Sequence, residues 1–137
     1  MYKQAVNPSQ LPEDEYLSAD EVLVLHNRLV DQANELMQST LRAMNELTQH
    51  QEIDPDNLDL AVSESNRELS LRFANRERRM LGKIRFAMKR IQEGEYGACM
   101  SCGVEIGYRR LLVRPVASMC IDCKTEQEQL ERGKWSI

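Results

Sequence analysis

Cys99, Cys102, Cys120 and Cys123 are the cysteines of this chain, and they fall in a C-x2-C-x17-C-x2-C pattern. Two cysteines separated by two residues let one tight turn present both sulfurs to a single ion, and the second pair completes a tetrahedron. Gly103 directly follows Cys102 and tolerates the positive φ such a turn needs. Four protein thiolates leave no coordination position for water or substrate. The pattern therefore implies one structural Zn²⁺ that organises residues 94–123, with a dithiol redox site or a different metal as the alternatives.

Little else in the chain could do catalysis. His26 and His50 both lie in one helical stretch and far apart, and no G-x4-G-K-[ST] phosphate loop occurs. The chain is read as a non-enzyme. Its net charge of −4 disfavours nonspecific duplex DNA binding, where phosphate neutralisation dominates affinity. That average conceals a split. Glu52 to Glu68 holds six acidic residues and one basic, whereas Arg72 to Arg90 holds eight basic residues and one acidic. Such a split suits either docking on a charged partner or a solvated helix face. No apolar run approaches the roughly 18 residues of a membrane span. The N-terminus lacks the layout of a signal peptide, so a cytoplasmic location is expected.

Long helices must carry these groups. Aromatic residues make up 5% of the chain, and glycine and proline cluster near the ends and joints. Ser18-Ala19-Asp20-Glu21 matches a capping box. From there Val22, Leu25, Leu29, Ala33, Leu36, Met44 and Leu47 recur at steps of three and four, with Thr40 filling the gap. This first helix is expected to end near His50. Asp54-Pro55-Asp56-Asn57 breaks the pattern and starts a second helix, expected to reach Glu93. Its seam reads Val62, Asn66, Leu69, Phe73, Arg76, Met80, Ile84, Ala87 and Ile91. Asn66 and Arg76 would be polar seam positions.

Two such helices joined by a short turn pack antiparallel. At about 1.5 Å per residue they make a rod of about 45–50 Å with an acidic tip. The expected fold is mainly α: a long antiparallel two-helix coiled coil attached to a small globular base, a four-cysteine zinc finger, with a C-terminal helix over 120–132. Residues 1–17 form an N-terminal segment on or near the base, 18–93 the hairpin with its tip at about 51–60, and 94–137 the zinc finger and last helix.

The run Tyr96-Gly-Ala-Cys-Met-Ser-Cys-Gly-Val-Glu-Ile, with Arg109-Arg-Leu, Arg114-Pro and Cys120-Ile-Asp-Cys-Lys124, closely resembles the DksA/TraR zinc-finger family. The likeness continues through Asn75-Arg-Glu-Arg-Arg79 and Asp56-Asn-Leu-Asp-Leu-Ala61 and covers about residues 16 to 125. The chain's length resembles the DksA-type members rather than the shorter TraR-like ones. The resemblance implies a bacterial transcription factor that binds RNA polymerase without reading DNA sequence. Its coiled coil would enter the polymerase secondary channel. With guanosine tetraphosphate (ppGpp) it would repress ribosomal RNA promoters and activate biosynthetic ones.

The family's tip motif D-x-x-D-x-A is matched by Asp56, Asp59 and Ala61. On the residues alone, aspartates here would cap a helix start. The resemblance adds that Asp59 and Ala61 approach the polymerase active centre, supported by Asp56. It also implies a ppGpp site, shared with polymerase, from Met80, Lys83, Arg114 and Lys124, and polymerase contacts from Arg72 and Arg76. Where the family commonly has Leu, this chain has Met80. Two other classes compete: a transcript-cleavage factor whose tip carboxylates hold Mg²⁺, and a zinc-ribbon adapter or DNA-binding protein.

Overall fold

The structure is a computed structural model of the 137-residue chain, and it describes residues 2–51 and 57–135. Two long helices dominate it, α1 over Ala19–Gln51 and α2 over Asn57–Glu93. The capping box starts α1 as the sequence implies. The Glu21 N–H donates to Ser18 Oγ at 3.2 Å, and the Ser18 N–H donates to Glu21 Oε1 at 2.9 Å. Gly94, at φ 74°, ends α2. Its N–H bonds the Ile91 carbonyl at 3.1 Å while the Glu95 N–H bonds the Arg90 carbonyl at 3.0 Å, a Schellman pair. Among the described residues, no helix is long and apolar enough to cross a membrane.

The helices run antiparallel. Val22, Leu25, Leu29 and Ala33 of α1 share one buried cluster with Ile84, Ala87 and Ile91 of α2, while Ser39 and Thr40 further along α1 bond Glu77 further back on α2. This cluster extends into the cysteine segment through Tyr96, Cys99, Ile106, Leu111, Ala117 and Cys120. The core therefore sits where the hairpin meets the cysteine segment. Each fully buried Leu or Ile there contributes about 1.5–3 kcal/mol. Among the described side chains beyond Glu77, those of both helices are more open: Leu41 is 58% exposed and Leu69 60%.

The second-helix seam departs from the sequence reading over 66–76. Asn66, Leu69, Phe73 and Arg76 are exposed, and Glu77 is buried instead, flanked by half-buried Ser70 and Ala74. The seven-residue repeat accounts for part of this. Counting down from Ile91 and Ile84 by sevens lands on Glu77 and Ser70, which stay on the seam. The second row, from Ala87 through Met80, would continue to Phe73 and Asn66, but the inward positions shift by one to Ala74, so Phe73 turns outward, and Leu69 lies off both rows.

Between α2 and the next helix the chain is irregular, with an antiparallel bridge between Ala98 and Glu105. A short helix α3, Tyr108–Val113, follows, and then α4, Ile121–Trp135. Helix α3 was missed by the sequence reading, since its six residues are too few to show a period.

Arg90 ties hairpin to base. Its guanidinium is buried and donates to the carbonyls of Ser118 (3.2 Å), Glu95 (2.8 Å) and Ala98. Arg28 of α1 similarly donates to the Leu112 carbonyl on α3. The segment before α1 docks on the same base. Leu17 is buried, Asp14 Oδ2 accepts the Gly97 N–H at 2.9 Å, and the Tyr16 hydroxyl donates to the Gly103 carbonyl at 3.0 Å.

Candidate metal centre and adjoining cleft

The two cysteine pairs come from different elements. Cys99 and Cys102 flank a tight turn in which the Gly103 N–H bonds the Cys99 carbonyl at 2.9 Å. The Cys99 N–H bonds the Val104 carbonyl at 2.7 Å, and the Ser101 N–H points at Cys99 Sγ at 3.4 Å. Gly103 takes φ 79°, the left-handed conformation its type was expected to supply. Cys120 immediately precedes α4, and Cys123 sits in its first turn. The Met100 N–H bonds the Ser118 carbonyl at 2.9 Å, drawing the two pairs together.

All four sulfurs lie within 4.8 Å of one another. Cys102 Sγ and Cys120 Sγ are 3.7 Å apart. A tetrahedron with Zn–S bonds of about 2.3 Å has an edge of about 3.8 Å, so the donors fit that ion. The thiols bear out the same chemistry. Burial pushes Cys99 up, but main-chain N–H groups of Cys120, Cys102 and Ser101 outweigh it and bring it down to about 6 from an ordinary 9.0. Cys123 is pushed up to about 12, first by the neighbouring Cys102 and Cys120 sulfurs. Four sulfurs this close cannot all carry charge without a cation among them, and a dication removes that conflict. Bound there, zinc would supply a cross-link between the turn and α4. Because Cys99 and Cys120 are also core residues, that cross-link bears on the core itself.

A cleft of about 250 Å³ opens beside this centre. Lys83 from α2, Arg114 from the chain after α3, and Lys124 from α4 all line it. The structure thus brings together three of the four residues that the resemblance names for an anionic ligand. Met80 is not among the lining residues; it is half-buried against the core one turn before Lys83. Arg110 also lines the cleft, with Nε bonded to the Met119 carbonyl at 3.3 Å. The sequence reading did not propose Arg110 as a site residue, although it lies in the Arg109-Arg-Leu run. Phe86, Met100, Val116 and Met119 supply the apolar part of the wall, and no carboxylate lines it. Converging guanidinium and ammonium groups with no facing acid favour a polyanion.

The other named residues lie elsewhere. Arg72 and Arg76 are exposed on α2. Asp59 and Ala61 fall on the first turns of α2, with side chains outside the description, and Asp56 lies outside the described residues.

Comparison with known proteins covers both parts of the chain. Residues 21–91 match the model of the DnaK suppressor protein DksA N-terminal domain, and residues 94–129 match the prokaryotic dksA/traR C4-type zinc finger. Among curated relatives, the RNA polymerase-binding transcription factor DksA of Escherichia coli K12 is 38% identical over 123 residues, covering 88% of this chain and 80% of that protein. The protein of that name from Haemophilus influenzae is 34% identical over 128 residues, covering 93% and 88%. Among solved structures, transcription factor DksA2 from Pseudomonas aeruginosa superposes with a TM-score of 0.79 at 37% identity, covering 91% of this chain and 95% of that one.

Proposed function

Because this chain belongs to the DksA/TraR family, we propose that it is a cytoplasmic, non-enzymatic transcription regulator that binds RNA polymerase directly. The observation that carries this reading is the likeness to RNA polymerase-binding factors across both hairpin and zinc finger. In the proposed mechanism the chain works as three units: the segment 1–17, the hairpin 18–93 and the zinc base 94–137. The hairpin enters the secondary channel, Asp59 and Ala61 reach the active centre with Asp56 in support, and Arg72 and Arg76 contact the channel wall.

The cleft is the proposed ppGpp site. Lys83, Arg114 and Lys124, with Arg110, take the phosphates, and Met80 contributes an apolar contact at its margin. The cleft's volume of about 250 Å³ supports a site shared with polymerase. It falls below the roughly 300–1,000 Å³ of a typical self-sufficient ligand pocket. Cys99, Cys102, Cys120 and Cys123 would hold zinc, and that cross-link would keep Arg114 and Lys124 in register with Lys83. The promoters repressed would be those of ribosomal RNA, and those activated would be biosynthetic.

The test is transcription from a ribosomal RNA promoter with purified polymerase, alongside capture of core polymerase. The intact chain should bind polymerase without DNA and repress, more strongly with ppGpp. Asp59→Asn should lose repression while retaining polymerase binding. Lys83→Ala with Arg114→Ala should lose only the ppGpp-dependent increment. Failure to capture polymerase would refute the reading as a whole. Normal repression by Asp59→Asn would refute the role of the tip.

A further inference from the structure

Phe86 and Met100 stand between two clefts. Both line the cationic cleft of Lys83, Arg110, Arg114 and Lys124. Both also line a second cleft, of about 400 Å³, beside the turn from Cys99 to Gly103. The two side chains are therefore the wall that the clefts share. They are open to solvent, Phe86 at 44% and Met100 at 59%. The chain has only two phenylalanines, and neither belongs to the buried core. An exposed ring gains little of the burial that stabilises a fold. Phe86 follows Lys83 by three residues on α2, so ring and ammonium share one face of that helix. Met100 is held by the turn, where its N–H bonds the Ser118 carbonyl at 2.9 Å.

The two clefts differ in charge. Glu15, Glu93 and Glu95 line the second, whereas no carboxylate lines the first. The cations of the second cleft are already engaged. Arg90 is spent on its three carbonyls, and Lys89 Nζ sits 3.9 Å from Glu93 Oε1. Phosphates are thus drawn into the first cleft and repelled from the second. Nucleotide sites combine cations, which hold phosphate, with an aromatic face, on which the base stacks. A carboxylate-lined space beyond that face suits a base edge that carries donors, as guanine does with its amino group.

Resting on the assignment of the cationic cleft to ppGpp above, we propose that Phe86 is the platform on which the guanine base stacks, flanked by Met100. The phosphates stay among Lys83, Arg110, Arg114 and Lys124, and the base extends across the shared wall toward the carboxylate-lined cleft. The ring is then a specificity element. It makes the site select a purine nucleotide over a bare polyphosphate, which the four cations alone cannot do.

The test uses the full-length chain with purified polymerase on a ribosomal RNA promoter. ppGpp is titrated, and the midpoint of each variant's own ppGpp-dependent increment is read. Phe86→Ala and Phe86→Leu should each raise that midpoint about tenfold, within the roughly 5- to 150-fold that one base–ring stack is worth. Phe86→Trp should restore it. The leucine fills the wall without a π face and so separates stacking from packing. Inorganic tetraphosphate, which has no base, serves as competitor. Its inhibition constant should be the same for the intact chain and for Phe86→Leu. An unchanged ppGpp midpoint in Phe86→Leu overturns the platform, while loss of the increment in Lys83→Ala with Arg114→Ala shows the phosphate site still standing. A parallel tenfold loss for tetraphosphate also overturns it, because the ring would then act by placing the cations. An intact chain whose repression ppGpp never alters refutes the ppGpp reading itself, and the platform with it.

Discussion

Thr40 of α1 donates its hydroxyl to the carboxylate of Glu77, buried on α2, at 2.7 Å. Ser39 donates to the other oxygen of the same group at 2.9 Å. Glu77 is the one acid in the basic stretch from Arg72 to Arg90, and it occupies a seam position seven residues before Ile84. The pair marks where the aliphatic core gives way to the more open length of the hairpin.

Removing the donors while leaving the carboxylate strands a buried acceptor. Ser39→Ala with Thr40→Val should cost about 1–3 kcal/mol in urea denaturation. Adding Glu77→Leu to that pair should recover all of it, because an apolar seam needs no partners. If the triple variant is no more stable than the double, the hydroxyls do not act through Glu77.

Arg90 predicts a second outcome. Its three carbonyl partners at the base need a planar fork of donors, which lysine lacks. Arg90→Met should cost about 3 kcal/mol. Arg90→Lys should recover less than half of that loss. A lysine variant as stable as the parent would show that charge, and not the forked geometry, holds hairpin to base.

Metal removal gives the third. Purified protein should carry one zinc per chain by elemental analysis under reducing conditions. Binding free energy of order 10 kcal/mol is typical of such sites. A strong chelator should therefore lower the melting temperature sharply and release the amides of 94–123 to rapid hydrogen exchange. Cys99→Ser should do the same without chelator. Unchanged exchange in that segment after complete zinc loss would remove the structural role.

Alkaline pH supplies the fourth. Burial, aided by the nearby Asp14 carboxylate and opposed by Arg90, raises the Tyr96 phenol above its ordinary 10.0. The hydroxyl donates to the Pro115 carbonyl at 2.5 Å. A group raised in the folded state stabilises fully below its unfolded value and loses that contribution as pH rises beyond it. Stability should therefore fall above pH 10. Tyr96→Phe should cost about 1 kcal/mol at neutral pH and flatten that alkaline decline. Phenolate absorbance from Tyr96 at pH 10 in the folded protein would contradict this.

Local features were legible in the sequence because their causes lie within a few residues. The cysteine pairs, the Gly103 turn, the Ser18–Glu21 cap and the stop at Gly94 each depend on neighbours no more than five positions away. The α1 seam from Val22 to Leu36 was equally plain, since apolar residues fill it without interruption. Tertiary packing decided the rest. Glu77 faces α1 because Ser39 and Thr40 offer it hydroxyls there, while Phe73, seven residues before core-packed Met80, turns outward. Lys83, Arg110, Arg114 and Lys124 converge because Arg90 and the four sulfurs fold the base against α2, and no spacing along the chain encodes that meeting. Asn27 and Asn34 carry no signal in the sequence; they find partners only because Tyr2 and Ala5 lie across α1 in the folded chain. Helical and turn propensities act over one or two turns, whereas a cleft or a groove exists only once distant segments have been packed together.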